Sequence, residues 1–337
     1  MKPEERAVKP EERQVSADRS GLQVEDLRVG VGETPIVRGV SFTLAPGARL
    51  GLVGESGSGK SLTALAVMGL IRPPLRIAGG AVRVGGTDLR TLRRRELDRV
   101  RGRRIAMIYQ DPAAALNPLM TVGDQIGEVV RRHAGASRSA AVARAVELLG
   151  EVGVANARTR HRSYPHEFSG GMLQRVMIAM ALAGDPDVLL CDEPTTALDV
   201  TTQLRIMNLL DRLCAATGVA ALLITHDLGV AAGFCDDIAV MYAGRIVERA
   251  ATTALYDRPR HPYSRALMSA IIDLDADLGR PVPAIPGQPP APGELASGCP
   301  FRPRCPFAID ACAAAEPDPR EIDGHSVRCI RAEEVAV

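Results

Sequence analysis

Between the apolar run Leu50-Gly51-Leu52-Val53 and a helix-favouring stretch from Ser61 onward lies Gly54-Glu55-Ser56-Gly57-Ser58-Gly59-Lys60-Ser61. The pattern Gly-x4-Gly-Lys-Ser, set after a strand and before a helix, leaves few folds open. It calls for a buried strand whose C-terminal end opens into a glycine turn and then a helix N-terminus. Gly54, Gly57 and Gly59 let backbone N–H groups, with Ser56 among them, turn inward around phosphate oxygens. The helix N-terminus adds a partial positive charge. Lys60 is placed to bridge the β- and γ-phosphates of a nucleotide, and Ser61 to hold Mg²⁺ through its hydroxyl.

The rest of the chain fits such a core. Apolar stretches at 40–44, 50–53, 105–109, 188–191, 220–225 and 238–242 read as buried strands. Helical patterns at 61–70, 140–152, 171–183 and 202–217 lie between several of them. Strands alternating with helices predict an α/β fold with a mainly parallel sheet. The early strands, with turn residues at 29–35 and 45–47, predict an antiparallel β subdomain. Strand signals vanish between 109 and 170, so residues of about 111–170 read as an inserted helical subdomain.

Two ends differ in texture. Residues 1–20 carry the repeat Lys2-Pro3-Glu4-Glu5-Arg6 and Lys9-Pro10-Glu11-Glu12-Arg13 and almost nothing apolar, and are expected to be a disordered charged tail. After Arg258 a short helix at 264–272 leads to a proline-rich linker at 281–292 and a tail with four cysteines. The expected division is therefore 1–20, an ATP-binding unit at 21–257 and a C-terminal extension at 258–337.

Composition narrows the class. With 41 basic and 40 acidic residues, bulk attraction to nucleic acid or anionic lipid is not implied. No apolar run approaches the roughly 20 residues of a membrane span; the run at 176–183 stops at Gly184, Asp185 and Pro186. The charged N-terminus has no apolar signal core, which points to the cytoplasm and to reduced thiols for the seven cysteines.

Further strand ends carry the hydrolytic chemistry. The run at 188–191 delivers Asp192 and Glu193 to the sheet edge nearest the phosphates. Asp192 suits the Mg²⁺ shell, and Glu193 is placed to polarise a water in line with the γ-phosphate. His226 ends another strand and is expected to bond the γ-phosphate and hold Glu193; Gln110 is expected to touch Mg²⁺ and the attacking water.

These residues, together with longer motifs, carry a family resemblance. The motifs are Tyr109-Gln110-Asp111-Pro112, Leu116-Asn117-Pro118, Tyr164-Pro165-His166-Glu167-Phe168-Ser169-Gly170-Gly171-Met172, Glu193-Pro194-Thr195-Thr196-Ala197-Leu198-Asp199-Val200 and His261-Pro262-Tyr263-Ser264-Arg265-Ala266-Leu267. Over roughly residues 22–330 the chain resembles the nucleotide-binding subunit of an ATP-binding-cassette (ABC) transporter, in its oligopeptide/dipeptide (peptide/nickel) importer branch. Phe168 and Met172 stand where many members have Leu and Gln, a variation usual in that branch.

The resemblance implies a phosphate-loop ABC ATPase that forms an ATP sandwich with a second ABC ATPase subunit, a copy or a paralogue. Ser169, Gly170 and Gly171 would bind the γ-phosphate held by the partner's loop, and Asp199 would lie at the seam. Residues 110–121 would receive a coupling helix from one of two transmembrane permease subunits. An extracytoplasmic solute-binding protein would deliver short peptides, and the chain would sit on the cytoplasmic face of the membrane. Import of nickel or another solute by the same machine is the near alternative. A soluble ABC ATPase acting on nucleic acid or ribosomes is the alternative of another class; it usually has two cassettes or a long coiled-coil insertion, and neither is visible. Such domains often stack an aromatic on adenine after the first strand, but Val29-Gly30-Val31-Gly32 has none, so the base is expected on Val31 or a partner residue.

Two clusters remain. Eight arginines fall between Arg90 and Arg104 without interleaved aromatics, which argues for a solvated helical face and against a nucleic-acid surface. Cys299, Cys305, Cys312 and Cys329 have no tight Cys-x2-Cys pair, which disfavours zinc; reduced structural thiols and a [4Fe–4S] cluster stay open, and the two Cys-Pro steps lean toward the cluster. Similar tails in the peptide-importer branch, some understood to hold such a cluster, point the same way. A tail of this kind is also compatible with a redox sensor that gates the ATPase. His325 reads as a surface residue, and Cys191, Cys214 and Cys235 as core thiols.

Overall fold

Period-two burial in the first strands builds a sheet with one wet face. In the computed structural model, which describes residues 19–196, 198–270, 285–295 and 297–335, β1 (Leu22–Val31) and β2 (Thr34–Leu44) form an antiparallel hairpin. Only Gly32 and Glu33 separate them. The turn expected over 29–35 is thus shorter, because Val29 is a buried strand residue paired with Val37. β3 (Arg49–Val53) leads into the phosphate loop, and β4 (Leu75–Val84) and β5 (Thr87–Asp88) complete a four-stranded sheet in the order β2-β1-β4-β5.

The second sheet takes β6 (Ile105–Ile108), β7 (Val188–Asp192), β8 (Ala220–Thr225), β9 (Asp237–Tyr242), β10 (Arg245–Ala251), β11 (Arg320–Ile322) and β12 (His325–Val327). Its order is β11-β12-β10-β9-β3-β8-β7-β6, parallel from β9 to β6 and antiparallel at the other end. Its parallel strands are unbroken apolar runs because both faces are covered. Along β7, Leu189 and Cys191 enter one core with the helical layer, whereas Val188 and Leu190 enter another with the antiparallel sheet and helix Lys60–Val67. Cys191, Cys214 and Cys235 are all buried.

Between 112 and 167 the regular elements are all helices, as expected, with Val122–Ala134 and Arg138–Glu151 the longest. Thr121 and Ser137 cap them by accepting amide N–H bonds, and Gly135 ends the first in the left-handed region at φ 63°. The arginine cluster is only partly a solvated face. Arg93, Arg94, Arg95 and Arg99 are exposed on or beside helix Arg94–Val100, but Arg101 donates to the carbonyls of Met68 and Gly69, and Arg104 pairs with Asp187. Those two tie the segment to the core rather than to solvent.

Residues 1–18 of the expected tail lie outside the described residues; Arg19 and Ser20 belong to the folded body, Arg19 bonding Asp185 at 2.7 Å and Ser20 accepting from Arg104 at 2.8 Å. The helix expected at 264–272 is Pro262–Ser269, started earlier by His261 Nδ1 accepting from the Tyr263 amide; residues 271 and 272 lie outside the described residues. Of the expected linker, residues 281–284 lie outside them too, and 285–292 form neither helix nor strand. Beyond it the chain returns to the central sheet, since β12 pairs with β10 (Glu248 opposite Val327, Arg249 opposite Ser326). His325, expected at the surface, is 2% exposed, because its Nδ1 lies 2.8 Å from the fully buried Glu248 carboxylate.

Candidate functional site: a phosphate loop with converging strand ends

The parallel register aligns the C-terminal ends of four neighbouring strands. Val53 of β3 lies opposite Thr225 of β8, Asp192 of β7 opposite Ile224, and Ile108 of β6 opposite Cys191. Each strand therefore delivers the residues that follow it to one edge, where an α/β sheet places its ligand.

The phosphate loop turns there because its glycines take φ of 153° (Gly54), 80° (Gly57) and 103° (Gly59). At Gly54 a Cβ would fall 2.2 Å from the Met241 carbonyl oxygen, so no other residue fits between the loop and β9. Lys60, 4% exposed, donates from Nζ to the carbonyls of Gly54 (2.7 Å) and Glu55 (2.9 Å). Burial lowers the pKa of its ammonium, and Glu193, Asp192 and Glu55 pull the other way. Ser56 and Gly57 are exposed at the tip of the loop.

Ser61 Oγ donates to Asp192 Oδ1 at 2.9 Å, which puts a hydroxyl and a carboxylate side by side below the loop. Burial raises the Asp192 pKa, partly offset by that bond. Two hard oxygen donors on rigid elements fit Mg²⁺.

Glu193 is the meeting point. Its backbone is left-handed at φ 45°, with its N–H donating to Ile224 O. Its carboxylate accepts from Gln110 Nε2 (3.2 Å) and Thr196 Oγ1 (2.7 Å), and its Oε1 lies 3.4 Å from His226 Nδ1. Gln110, Glu193 and His226, 83 and 33 residues apart along the chain, are thus gathered around one carboxylate. Thr196 was not singled out in the sequence; its signal was its place three residues after Glu193.

Ser169, Gly170 and Gly171 open helix Gly170–Leu182 elsewhere on the chain. A Cβ at Gly171 would lie 2.8 Å from Thr202 Cγ2, so this helix start packs tightly on helix Val200–Thr217. Asp199 caps the latter, its carboxylate accepting from the Thr202 amide (2.9 Å) and hydroxyl (2.7 Å), bonds that lower its pKa. Ser169, unlike Thr121, Ser137 and Asp199, makes no side-chain cap bond and is exposed. Among the described residues no hydrogen bond joins 169–171 to the phosphate loop. Phe168 and Met172 instead enclose Arg160, whose guanidinium lies 4.8 Å from the Phe168 ring centre and 3.9 Å from Met172 Sδ.

Val31, expected under the adenine, is 38% exposed at the end of β1. It does not line the concavity beside it, which Val29, Gly30, Thr34, Pro35 and Val37 do.

Cys299, Cys305, Cys312 and Cys329 line one small apolar cavity with His261 and Phe301. Cys299 N–H donates to Cys312 O at 2.9 Å, and the Arg331 amide to Cys329 Sγ at 3.4 Å. Burial raises the Cys329 thiol to about 11 and lifts Cys299 and Cys305 too. Among the described residues, no three His, Cys, Asp or Glu form a ready ligand group. The four thiols thus share a cavity without forming a ligand shell, and the expected cluster gains no support among the described residues.

A glycine loop on a parallel sheet, an Asp-Glu strand end and a glycine-opened second helix define an ATP-binding cassette. The chain belongs to the ABC transporter family, which residues 37–196 match; residues 247–312 match the C-terminal region of oligopeptide/dipeptide transporters. It is 49% identical over 300 residues to the oligopeptide transport ATP-binding protein OppD of Salmonella typhimurium, covering 88% of this chain and 89% of that one. To OppD of Mycobacterium tuberculosis it is 48% identical over 93% of its own length; it spans 52%, about half, of that relative. A solved dimeric ATP-binding cassette in a post-hydrolysis state with ADP and Pi superposes with TM-score 0.61 at 28% identity, covering 68% of this chain and 98% of the cassette. Among the described residues no helix is long and apolar enough to cross a membrane.

Proposed function

We propose that this chain hydrolyses ATP to power import of short peptides, as the ATP-binding subunit of an ABC transporter. The observation that carries the hydrolytic reading is the convergence of Gln110, Thr196 and His226 on Glu193, next to the Ser61–Asp192 pair. Ser61, Asp192 and Gln110 would hold Mg²⁺, which would neutralise phosphate charge when bound. Lys60 and the loop amides orient the phosphates, Glu193 takes a proton from the attacking water, and His226 keeps the carboxylate in place. The match of residues 247–312 to the peptide-transporter C-terminal region supports peptides as cargo.

The partners in this reading are a second ABC ATPase subunit, two transmembrane permease subunits and, indirectly, an extracytoplasmic solute-binding protein, with this chain on the cytoplasmic face. The uncapped Ser169 at an exposed glycine-opened helix supports its pairing with the other subunit's nucleotide. The chain divides near residue 257 into an ATP-binding unit and a C-terminal unit, joined by the β10–β12 pairing. In proteoliposomes holding the assembled complex, ATP should drive uptake of labelled short peptides; uptake of Ni²⁺ in their place would move the assignment to the nickel branch.

Four cysteines on one cavity supply the donor type and number of a thiolate-bound group, and the Cys-Pro steps favour a [4Fe–4S] cluster, although the thiols as placed form no ligand group among the described residues. Cys299, Cys305, Cys312 and Cys329 would hold it, releasing protons as the buried thiols ionise. Iron and acid-labile sulfide should be equimolar after anaerobic purification and fall in Cys329→Ser. A metal-free parent leaves the cavity as structural thiols.

A further inference from the structure

A charged side chain from the C-terminal segment reaches into the phosphate loop. Arg304 lies 249 residues beyond Glu55, and its guanidinium forks onto that carboxylate, Nη1 to Oε2 at 2.7 Å and Nη2 to Oε1 at 2.9 Å. The pair is shielded, with side-chain exposures of 5% for Arg304 and 26% for Glu55. Arg304 is itself held: Nε donates to Pro286 O at 2.8 Å, and the guanidinium lies 5.8 Å from the Tyr242 ring centre and 5.9 Å from that of Phe301. The Glu55 amide donates to Tyr263 Oη at 2.8 Å, and Tyr263 is fully buried. Lys60 takes the Glu55 carbonyl.

Glu55 is thus gripped at its side chain, N–H and carbonyl, two of the three by groups beyond residue 257. The tip behind it is open, since a Cβ at Gly57 would meet nothing within 4 Å. A second arm of the same segment reaches the other flank of the site. Glu316 accepts from Arg38 of β2 at 2.8 and 2.9 Å and lies 3.2 Å from Arg245. A glycine-rich loop left to itself loses much conformational freedom on binding phosphate. A bidentate Arg–carboxylate pair at its base fixes both position and plane before the ligand arrives.

We infer that Arg304 is a positioning residue of the nucleotide site: through Glu55 it holds the phosphate loop in its binding shape, so that seating of the C-terminal segment sets nucleotide affinity. This rests on the reading of residues 54–61 as the nucleotide-binding loop. MgADP is the probe, because its binding to the full-length chain needs no second subunit. Titration calorimetry with Arg304→Gln, Glu55→Gln and the double variant, each with its thermal midpoint, provides the test. Each single change should weaken MgADP by about tenfold, and the double should be no weaker than the worse single, because both remove one interaction. Glu55→Gln keeps the side chain's shape and length and leaves the C-terminal segment unaltered, so it reads the coupling even if Arg304→Gln loosens the tail. Affinities within about twofold of the parent, with only the midpoints lowered, make the pair structural and overturn the role. Additive losses in the double variant overturn it as well. A parent that fails to bind MgADP overturns the nucleotide reading itself.

Discussion

Glu193 carries the sharpest local geometry in the site. A non-glycine residue at φ 45° stores about 1 kcal/mol or more of strain, and here its own N–H bond to Ile224 O and three side-chain neighbours hold it. The left-handed step breaks the strand directly after Asp192, so the two successive carboxylates find different partners. Asp192 meets Ser61 and is buried; Glu193 meets Gln110, Thr196 and His226. Burial makes the Asp192 carboxylate costly without a cation. Asp192→Asn should therefore raise the thermal midpoint of the nucleotide-free chain at neutral pH by about 2 °C while weakening Mg²⁺-dependent ATP binding. A lowered midpoint in calorimetry would show that the carboxylate serves the fold rather than burdening it. Gln110, Asp192, Glu193 and His226 each end an apolar run, but Gln110 and His226 take meaning in sequence only beside the phosphate loop and the Asp192-Glu193 pair. The Glu55–Arg304 pair was not: one Glu and one Arg 249 residues apart leave no periodic trace.

At the scale of elements, the C-terminal hairpin depends on one buried carboxylate. Glu248 on β10 is fully buried, accepts from the amides of Arg260 (2.7 Å) and His261 (2.9 Å), and lies 2.8 Å from His325 Nδ1 on β12. Burial pushes its pKa up, but His325, Ser264 and the two amides outweigh that and hold it below the usual value. A depressed carboxylate contributes stability that is present above the unfolded pKa of about 4.3 and lost as pH falls through the folded value. Glu248→Gln should thus cost about 3 kcal/mol in denaturant unfolding at pH 7, and the gap to the parent should narrow below about pH 4. An equal gap at both pH values would remove the charge from the explanation. The parallel strands were readable as unbroken apolar runs, because both faces of the sheet are covered. β11 and β12 were not, being three residues each and stabilised by their pairing to β10 rather than by their own composition. The arginine segment misled in part for a similar reason: Arg101 and Arg104 are indistinguishable in sequence from their solvated neighbours until their carbonyl and carboxylate partners are in place.

At the scale of the molecule, the helical layer carries a glycine-opened helix with an unused serine cap, and the sheet edge brings Ser61 to Asp192 and Gln110 and His226 to Glu193. Among the described residues no hydrogen bond links the two within one chain. The C-terminal segment extends the sheet by β12 and the edge strand β11 and reaches the phosphate loop through Arg304, so the extension is continuous with that loop. The most direct test of the account is ATP turnover and MgATP binding by Glu193→Gln, measured on the assembled complex. Loss of a general base predicts turnover reduced by at least about 100-fold with MgATP affinity retained. Hydrolysis at the parental rate would contradict the assignment of Glu193, and with it the reading of this sheet edge as the hydrolytic centre.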